Sequence, residues 1–272
     1  MTRPIRRLLP PGPEQVTDQQ LLAWYGDLPR SGPWVRFNFV ASLDGASTYA
    51  GRSGTLGDEV DQRVFLLLRR LADVLVVGAG TIRAEGYGGE LLSAESQAWR
   101  LDRGMSAHPP VAVVSASLDL DPGSAFFTAA PVRPIVLTSA ASPATRRRAL
   151  EPVADVLDAG TTRVEPARVV KALAARGYEQ IHSEGGPLLF GSFQAAGLVD
   201  ELCLTISPVL AGGTAKRISD HLPGARESLQ RLQLRQVLES GSMLLLRYTA
   251  ADSAPGTTST ETGSLPTRSP SA

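Results

Sequence analysis

Residues 71–87 read LADVLVVGAGTIRAEGY, an uninterrupted apolar run that ends in a glycine-rich turn. A strand that is apolar at every position is buried on both faces, which is typical of a parallel sheet covered by helices. Similar apolar runs lie at 35–41, 111–114, 135–137 and 202–206, and a short segment at 180–183 leads into a second glycine-rich turn. Helical spacing of apolar residues lies between several of these runs, at 58–71, 144–150, 166–176 and 187–196. The alternation predicts an α/β fold with a mostly parallel central sheet flanked by helices.

A hairpin pattern follows this alternating region. Two apolar segments, 232–238 and 243–248, are separated by Ser240-Gly241, and a short polar turn between two such segments is typical of paired antiparallel strands. We therefore expect an antiparallel hairpin at one edge of the sheet.

The two ends of the chain differ from the middle. Residues 1–32 contain one short helical pattern at 17–26 between prolines, and we interpret them as an N-terminal arm. Residues 250–272 are rich in Ser, Thr, Pro and Gly, so they can bury too little apolar surface to offset their ordering entropy and should be disordered. A single domain at 33–249 is predicted between them.

Composition excludes several classes of function. The 272 residues carry 27 basic and 27 acidic side chains, whereas proteins that bind nucleic acid or anionic membranes usually have a basic excess. Cys203 is the single cysteine, so the chain can form no internal disulfide and no thiolate zinc cluster. The three histidines (His108, His182 and His221) do not lie at ligand spacing, and we predict no metal site. A cytosolic protein with a small-molecule ligand is expected.

Two glycine-bearing loops follow apolar strands, at the sheet edge where α/β proteins bind ligands. Gly78-Ala79-Gly80-Thr81 leaves backbone amides free to hold a phosphate, although Arg83 stands where a third glycine would complete a dinucleotide-binding fingerprint. Glu184-Gly185-Gly186-Pro187 places a proline at the start of a helix, whose first amides also accept anions. Two such loops suit the two phosphates of a dinucleotide. The alternatives are a tight turn for the first loop and helix capping by Glu184 with glycine packing for the second.

Other polar positions near these strand ends are weaker candidates. Asp44 lies in Ser42-Leu43-Asp44-Gly45, which is either a ligand-facing loop or an ordinary turn. Asn38 is a strand amide that needs partners if it is buried, and it is a candidate for facing the ligand. Arg69 ends a helix, where it either binds an anionic substrate or is simply solvated.

Four segments together resemble a known family. They are SLDG at 42–45, LADVLVVGAGTIRAEGY at 71–87, SEGGPLLFGSF at 183–193 and GLVDELCLTISPVLAGG at 197–213. In this order they are similar to the reductase domain of the riboflavin-biosynthesis deaminase/reductase, a member of the dihydrofolate-reductase-like superfamily. The resemblance spans 33–249 and is closest to the free-standing actinobacterial branch that lacks the deaminase domain.

The resemblance implies an NADPH-dependent reductase that converts the ribose of a ribosylaminopyrimidine phosphate, 5-amino-6-(5-phosphoribosylamino)uracil, into a ribityl chain. It also implies a homodimer with the late strands near the interface. The residues expected to bind the cofactor, from the loops and the resemblance together, are Gly78, Gly80, Thr81, Arg83, Glu85, Ser115, Gly185, Gly186, Pro187, Leu188, Leu189, Phe190, Gly191 and Ser192. Those expected to bind substrate are Asn38, Ser53 and Arg69, with Arg69 as a phosphate anchor.

Glu184 is the predicted catalytic residue, which would orient the substrate or relay a proton, and Asp44 is a second candidate. Arg83 is the expected partner of the 2′-phosphate of NADPH, because of its charge and position.

The sequence departs from the family pattern mainly on the substrate side. Ala46 replaces the cation that usually follows SLDG, Thr55 replaces an aromatic residue, and Glu85 replaces an aspartate. The segment 89–92 lacks the usual substrate-phosphate arginine. These changes leave two alternatives open: a dihydrofolate- or pteridine-type reductase on the same scaffold, and a catalytically idle NADP-binding dimer.

Overall fold

The computed structural model describes residues 3–28, 32–220 and 229–251. His221 and most of the expected disordered tail, from residue 252 onward, lie outside these residues. The strands are β1 (Arg6–Leu9), β2 (Trp34–Ser42), β3 (Val74–Gly78), β4 (Val111–Val114), β5 (Ile135–Thr138), β6 (Asp155–Asp158), β7 (Gln180–Ser183), β8 (Glu201–Ser207), β9 (Leu232–Ser240) and β10 (Met243–Ala250). The helices are α1 (Asp18–Gly26), α2 (Glu59–Leu71), α3 (Ala79–Thr81), α4 (Ala94–Leu101), α5 (Ala125–Thr128), α6 (Ala144–Leu150), α7 (Pro166–Ala174) and α8 (Pro187–Ala195). Within the described ranges, no helix has the length and apolarity to cross a bilayer.

All the strands belong to one sheet with the order β1-β9-β10-β8-β2-β7-β3-β4-β5-β6. From β8 to β6 every neighbouring pair is parallel, whereas β1, β9 and β10 pair antiparallel. The predicted parallel sheet with an antiparallel hairpin is therefore confirmed. The two outermost strands, β1 and β6, were not predicted, because edge strands are short and polar and lack a continuous apolar run.

Helix α2 begins at a side-chain cap that can be recognised in the sequence. The Asp58 side chain accepts hydrogen bonds from the backbone N–H groups of Val60 and Asp61, so the helix begins there. One face buries apolar side chains against α1 and the sheet (Val60, Val64, Leu67, Leu68 and Leu71). Another face carries Asp61, Phe65 and Arg69, which line a cavity.

The N-terminal segment covers the antiparallel end of the sheet. Strand β1 pairs with β9, and α1 begins at Thr17 with a capping box in which Thr17 and Gln20 exchange hydrogen bonds. Leu21 and Tyr25 of α1 are buried in the same apolar cluster as Leu245 of β10. The division of the chain at residues 32 and 249 stays a prediction, but residues 3–28 supply part of the core.

A buried ion cluster fixes this segment to the sheet. Glu201 is fully buried and accepts hydrogen bonds from Arg36 Nε at 2.7 Å and Arg247 Nε at 3.0 Å. The same two arginines donate to the carbonyl oxygens of Tyr25 and Trp24 near the end of α1. Burial opposes ionisation of Glu201, but the charges of the two arginines outweigh burial and lower its pKa to about 2. The carboxylate thus holds two guanidinium groups that in turn hold the last turn of α1.

Candidate active site

A cavity of about 890 Å³ opens at the carboxyl ends of the parallel strands, where the sequence places its glycine loops. The predicted site residues that line it are Asn38, Ser53, Arg69, Gly78, Gly80, Thr81, Arg83, Glu85, Ser115, Glu184, Gly186, Pro187, Leu188, Leu189 and Ser192. The other four predicted residues, Asp44, Gly185, Phe190 and Gly191, are not among its lining residues.

The two glycine loops meet at the floor of the cavity. Gly78 donates its N–H to the carbonyl oxygen of Gly185 at 2.8 Å, which ties the end of β3 to the loop after β7. A Cβ on Gly186 would lie 2.9 Å from the Thr81 hydroxyl oxygen, so a larger residue at position 186 would displace the Thr81 side chain.

Two helical segments begin at these loops without a side-chain cap. Gly78 precedes α3 and the π-helical turn Ile82–Gly86 that continues it, and Gly186 precedes α8. Neither glycine has a side chain to accept the first N–H groups of its helix, and both helix starts face the same cavity. Free amides at paired helix starts fit the two phosphates of a nicotinamide dinucleotide.

Part of the predicted cofactor loop supports the site from behind. Phe190 is buried, with its ring centroid 4.9 Å from that of Phe37. A Cβ on Gly191 would lie 1.9 Å from the Asp220 carbonyl oxygen, so this glycine admits a neighbouring backbone. Gly185 likewise faces the Phe39 ring. Phe190 and Gly191 were predicted to bind the cofactor but do not line the cavity. In α8 they point away from the surface that residues 188, 189 and 192 present to it, because successive helix residues point in different directions.

Glu184 lies at the centre of a buried polar cluster. Its Oε1 accepts from Arg69 Nε at 2.6 Å, and its Oε2 accepts from Arg69 Nη2 at 2.8 Å and from the Tyr87 hydroxyl at 2.5 Å. Burial opposes ionisation, but the Arg69 charge and these hydrogen bonds outweigh it and lower the pKa of Glu184. Glu184 is therefore a carboxylate at neutral pH, which suits an orienting role better than donation of a proton.

Arg69 pairs closely with Glu184. The Nε and Nη2 atoms of its guanidinium group form a bidentate ion pair with the Glu184 carboxylate, and the guanidinium carbon lies 4.3 Å from the centroid of the Phe65 ring. Arg69 therefore positions Glu184, and its anchoring of a substrate phosphate stays a prediction.

Tyr87 is a cavity residue that the sequence analysis missed. Burial, together with the Glu184 charge, raises its pKa well above the ordinary value, so the hydroxyl stays protonated and donates a hydrogen bond to Glu184. The residue follows the π-helical turn Ile82–Gly86, and such turns often mark functional sites. No sequence pattern marks this π-helical turn, so it could not have identified Tyr87 as a site residue.

Glu85 was predicted to bind the cofactor and Ser53 to bind the substrate. In the structure the two residues are hydrogen-bonded to each other. Glu85 Oε1 accepts from the Ser53 backbone N–H at 3.0 Å and from its hydroxyl at 2.9 Å. The bonds hold the segment around Ser53 at the rim of the cavity.

Asp44 connects two loops outside the cavity lining. Its two carboxylate oxygens accept from the backbone N–H groups of Ala211 and Gly212, and the Ser42 hydroxyl donates to it as well. These hydrogen bonds lower the pKa of Asp44 to about 2, so it is a carboxylate at neutral pH. The second catalytic role expected of Asp44 stays a prediction.

Lys216 is a cavity-lining residue that the sequence analysis did not assign to the site. Its backbone carbonyl oxygen accepts a hydrogen bond from the Ser47 N–H at 2.8 Å. Its side chain is 65% exposed, and its Nζ lies 2.9 Å from Asp220 Oδ2. The cavity lining therefore includes a lysine that is paired with an aspartate.

His182 lies beneath the site, and burial lowers its pKa to about 4, so it is neutral at physiological pH. Among the described residues, neither ring nitrogen has a hydrogen-bond partner. No cluster of three or more His, Cys, Asp or Glu side chains suited to a metal ion occurs in the described parts of the chain.

Comparison with known proteins identifies relatives of this architecture. Residues 33–246 match the model of the family described as the RibD C-terminal domain. The chain is 30% identical over 220 residues to the 2,5-diamino-6-ribosylamino-4(3H)-pyrimidinone 5′-phosphate reductase of Methanothermobacter thermautotrophicus, covering 80% of this chain and 98% of that protein. The protein of the same name from Archaeoglobus fulgidus is 31% identical over 182 residues, covering 66% of this chain and 83% of that protein.

Solved structures give the same grouping. A pyrimidine reductase-like protein of Corynebacterium diphtheriae superposes with a TM-score of 0.77 at 30% identity, covering 87% of this chain and 99% of that one. The deaminase/5-amino-6-(5-phosphoribosylamino)uracil reductase of Thermotoga maritima has a TM-score of 0.61 at 18% identity, covering 81% of this chain and 57% of that one. The second likeness supports the fold alone.

Proposed function

The chain belongs to the RibD C-terminal domain family of riboflavin-biosynthesis reductases, and on that basis we propose that it reduces a ribosylaminopyrimidine phosphate with NADPH. The observation that carries the proposal is that two uncapped helix starts and the buried Glu184–Arg69–Tyr87 cluster share one cavity. The helix starts bind the cofactor phosphates, and the cluster faces the reacting end of the substrate.

The residues that hold the cofactor in this proposal are the lining members of the two glycine loops: Gly78, Gly80, Thr81, Gly186, Pro187, Leu188, Leu189 and Ser192. The bound nicotinamide supplies a hydride. In the substrate, the ring-opened ribose would present a C=N bond; a hydride would add to carbon, the π electron pair would move to nitrogen, and nitrogen would take up one proton from solvent. Glu184 orients this group, because it is held as a carboxylate.

The reaction is tested by mixing the purified protein with NADPH and, separately, the pyrimidine phosphate or dihydrofolate, and following loss of reduced nicotinamide by absorbance. We expect turnover with the pyrimidine phosphate. Turnover with dihydrofolate alone would favour the pteridine-type alternative. Tight NADPH binding without turnover of either compound would favour the idle dimer.

Preference for NADPH over NADH is assigned to Arg83. This exposed arginine lines the cavity, and its Nη1 donates to the Asp119 carbonyl oxygen at 3.0 Å, which holds it close to the loop after β4 that carries Ser115. Replacing Arg83 with alanine should weaken NADPH binding by about 10- to 100-fold, the range expected for hydrogen bonds to a charged group, with little effect on NADH. Titration calorimetry with both nucleotides measures the change.

Arg163 also lines the cavity and provides the matched control. If Arg163→Ala removes the NADPH preference and Arg83→Ala leaves it intact, the assignment to Arg83 is wrong.

We also propose a homodimer that forms through a partly exposed face of the antiparallel strands. Leu244, Leu246 and Tyr248 alternate along β10, and their cross-strand partners on β8 and β9 are mostly apolar. Leu244 and Leu234 are 37% and 38% exposed on this face. A contiguous apolar face of this kind is typical of a protein–protein contact.

Light scattering should therefore give a dimer for the wild-type protein and a monomer for Leu244→Arg. Leu101→Arg, which changes an exposed leucine on α4, should leave the dimer unchanged. A monomeric wild-type protein at micromolar concentration would contradict this interface.

A further inference from the structure

The cavity contains several cations, and the proposed function does not yet say which of them meets the substrate phosphate. In the described part of the chain, the cationic side chains that line the cavity are Arg69, Arg83, Arg163 and Lys216. A phosphate in a protein site is commonly held by arginine or lysine, whose N–H groups donate to its oxygens. The positions of these four side chains along the sheet decide which one can serve.

The strand order separates three of these cations into two groups. Arg83 donates to the Asp119 carbonyl oxygen in the loop after β4, and Arg163 follows β6. Lys216 is instead tied to the loop after β2, because Ser47 donates its backbone N–H to the Lys216 carbonyl oxygen at 2.8 Å. Strands β7 and β3 lie between β2 and β4, and adjacent strands are about 4.8 Å apart, so these two loops are separated by about 14 Å.

The cofactor and the substrate of the proposed function divide this length between them. The cofactor phosphates lie at the helix starts after β3 and β7, and the adenosine end extends toward Arg83 and the loop after β4. Glu184 follows β7 and faces the reacting end of the substrate. Since the cofactor occupies the side of β3 and β4, the rest of the substrate extends toward β2, which is the side of Lys216.

Arg69, the anchor predicted from the sequence, is a less suitable partner for a phosphate than Lys216. The Arg69 guanidinium already forms a buried bidentate pair with Glu184, so a phosphate on it would lie beside a second anion in a site that screens charge poorly. The pair between Lys216 and Asp220 is open to solvent, with side chains 65% and 37% exposed. Water screens the repulsion there, and the ammonium has three N–H donors to share.

The segment that carries Lys216 is held on both sides of the cavity. Ser47 Oγ donates to the Lys216 carbonyl oxygen at 2.8 Å, which fixes the segment to the loop after β2. Four residues later, Asp220 donates its backbone N–H to the Pro187 carbonyl oxygen at 3.1 Å, and Gly191 leaves room for the Asp220 backbone against α8. Residues 216–220 therefore connect the loop after β2 to α8, and this connection keeps the lysine at the cavity.

We propose that Lys216 binds the phosphate of the substrate, and that residues 216–220 hold it in the position to do so. Lys216 then distinguishes a phosphorylated substrate from the same compound without its phosphate. This inference rests on the proposed reductase function and adds a specificity-determining residue to it.

The test measures kcat and KM, with NADPH, for the ribosylaminopyrimidine phosphate and for the same compound without its phosphate. The wild-type protein should have the lower KM for the phosphate. Lys216→Gln should raise that KM by about 10-fold, the lower end of the range for a hydrogen bond to a charged group, because Lys216 is partly exposed to water. The KM of the dephosphorylated compound, the NADPH affinity and both kcat values should stay unchanged, since Lys216 does not act at the reacting end.

Two further variants separate the charge of Lys216 from other effects. Lys216→Arg keeps the charge and should retain most of the preference for the phosphate. Lys171→Gln removes the other lysine of the sequence, an exposed residue of α7 outside the cavity lining, and should change neither KM. Because both lysines are exposed, all three variants should fold, and thermal unfolding checks this.

The outcomes separate the two levels of inference. If Lys216→Gln keeps the wild-type preference for the phosphate, or raises KM equally for both compounds, the assignment of Lys216 is wrong and the proposed reductase function stands. Retention of the preference would favour Arg69 as the anchor. Equal KM values for the two compounds in the wild-type protein would also overturn the assignment. Oxidation of NADPH with neither compound would overturn the proposed function and this inference together.

Discussion

Replacing Glu184 with glutamine is expected to lower kcat by about 100- to 1000-fold, the range found when a preorganised group at a reacting centre is removed. The amide nitrogen of glutamine would face a donor, either Arg69 or the Tyr87 hydroxyl, and Arg69 would lose its counter-charge. NADPH affinity should change by less than about 3-fold, because backbone amides of the glycine loops hold the cofactor phosphates. Steady-state kinetics and NADPH titration measure the two effects separately.

Glu95→Gln is the matched control for this variant. Glu95 forms an ion pair with Arg70, the neighbour of Arg69 on α2, but its side chain is 82% exposed. Breaking this surface pair should alter neither kcat nor NADPH binding. Equal losses of turnover and cofactor affinity in Glu184→Gln, with the folded state retained, would show that Glu184 does not act on the substrate side.

The largest expected effect on stability comes from Glu201. Glu201→Gln should lower the free energy of unfolding by about 3–5 kcal/mol, the cost of removing one partner from a buried ion pair, because Arg36 and Arg247 would stay buried with their charge uncompensated. For a domain of this size the change corresponds to a fall in Tm of about 10 °C. Thermal and chemical unfolding of the two proteins check it.

The ionisation of Glu201 should make the free energy of unfolding depend on pH. Its pKa is about 2 in the folded protein against a reference value of 4.5, so the unfolded state binds more protons between these values. The stabilisation is fully present above about pH 4.5 and is lost as the pH falls toward 2. The free energy of unfolding of Glu201→Gln should therefore depend less on pH in this window.

Glu239→Gln serves as the control for stability. It breaks the partly exposed pair between Glu239 and Arg6, which joins β9 to β1, and it should cost no more than about 1 kcal/mol. A similarly small effect of Glu201→Gln would contradict the role assigned to the buried cluster.

The sheet was predictable because several of its strands are continuous apolar runs. Val74–Gly78 and Ile135–Thr138 are each recognisable without a partner, since burial on both faces leaves a continuous run. Strands β1 and β6 could not be predicted in this way. Arg6–Leu9 begins with two arginines and Asp155–Asp158 is bounded by acids, and each becomes a strand by pairing with a neighbour that the tertiary fold supplies.

The candidate site was predictable where it depends on backbone and less so where it depends on side chains brought from elsewhere. Gly78 and Gly186 could be recognised in the sequence, because a glycine that follows a buried strand lets a ligand approach the backbone amides. Asp61 and Lys216 also line the cavity but have no such local signal in the sequence. Asp61 resembles an ordinary charge in the first turn of a helix. Lys216 belongs to a distant segment that is hydrogen-bonded to Ser47 only in the folded protein. The spacing of Asp61, Phe65 and Arg69 was present in the sequence and could have been used.

The pairing of β1 with β9 joins two segments that lie far apart in the chain. Strand β1 has no pairing partner until Leu232–Ser240 has been synthesised, after all of the parallel strands. Until then its apolar neighbours Ile5 and Val16 lack Leu238 and Leu245, with which they form one apolar cluster in the folded protein. A nascent chain stalled before β9 should therefore expose this segment to proteases or chaperones, whatever the state of the parallel strands already made.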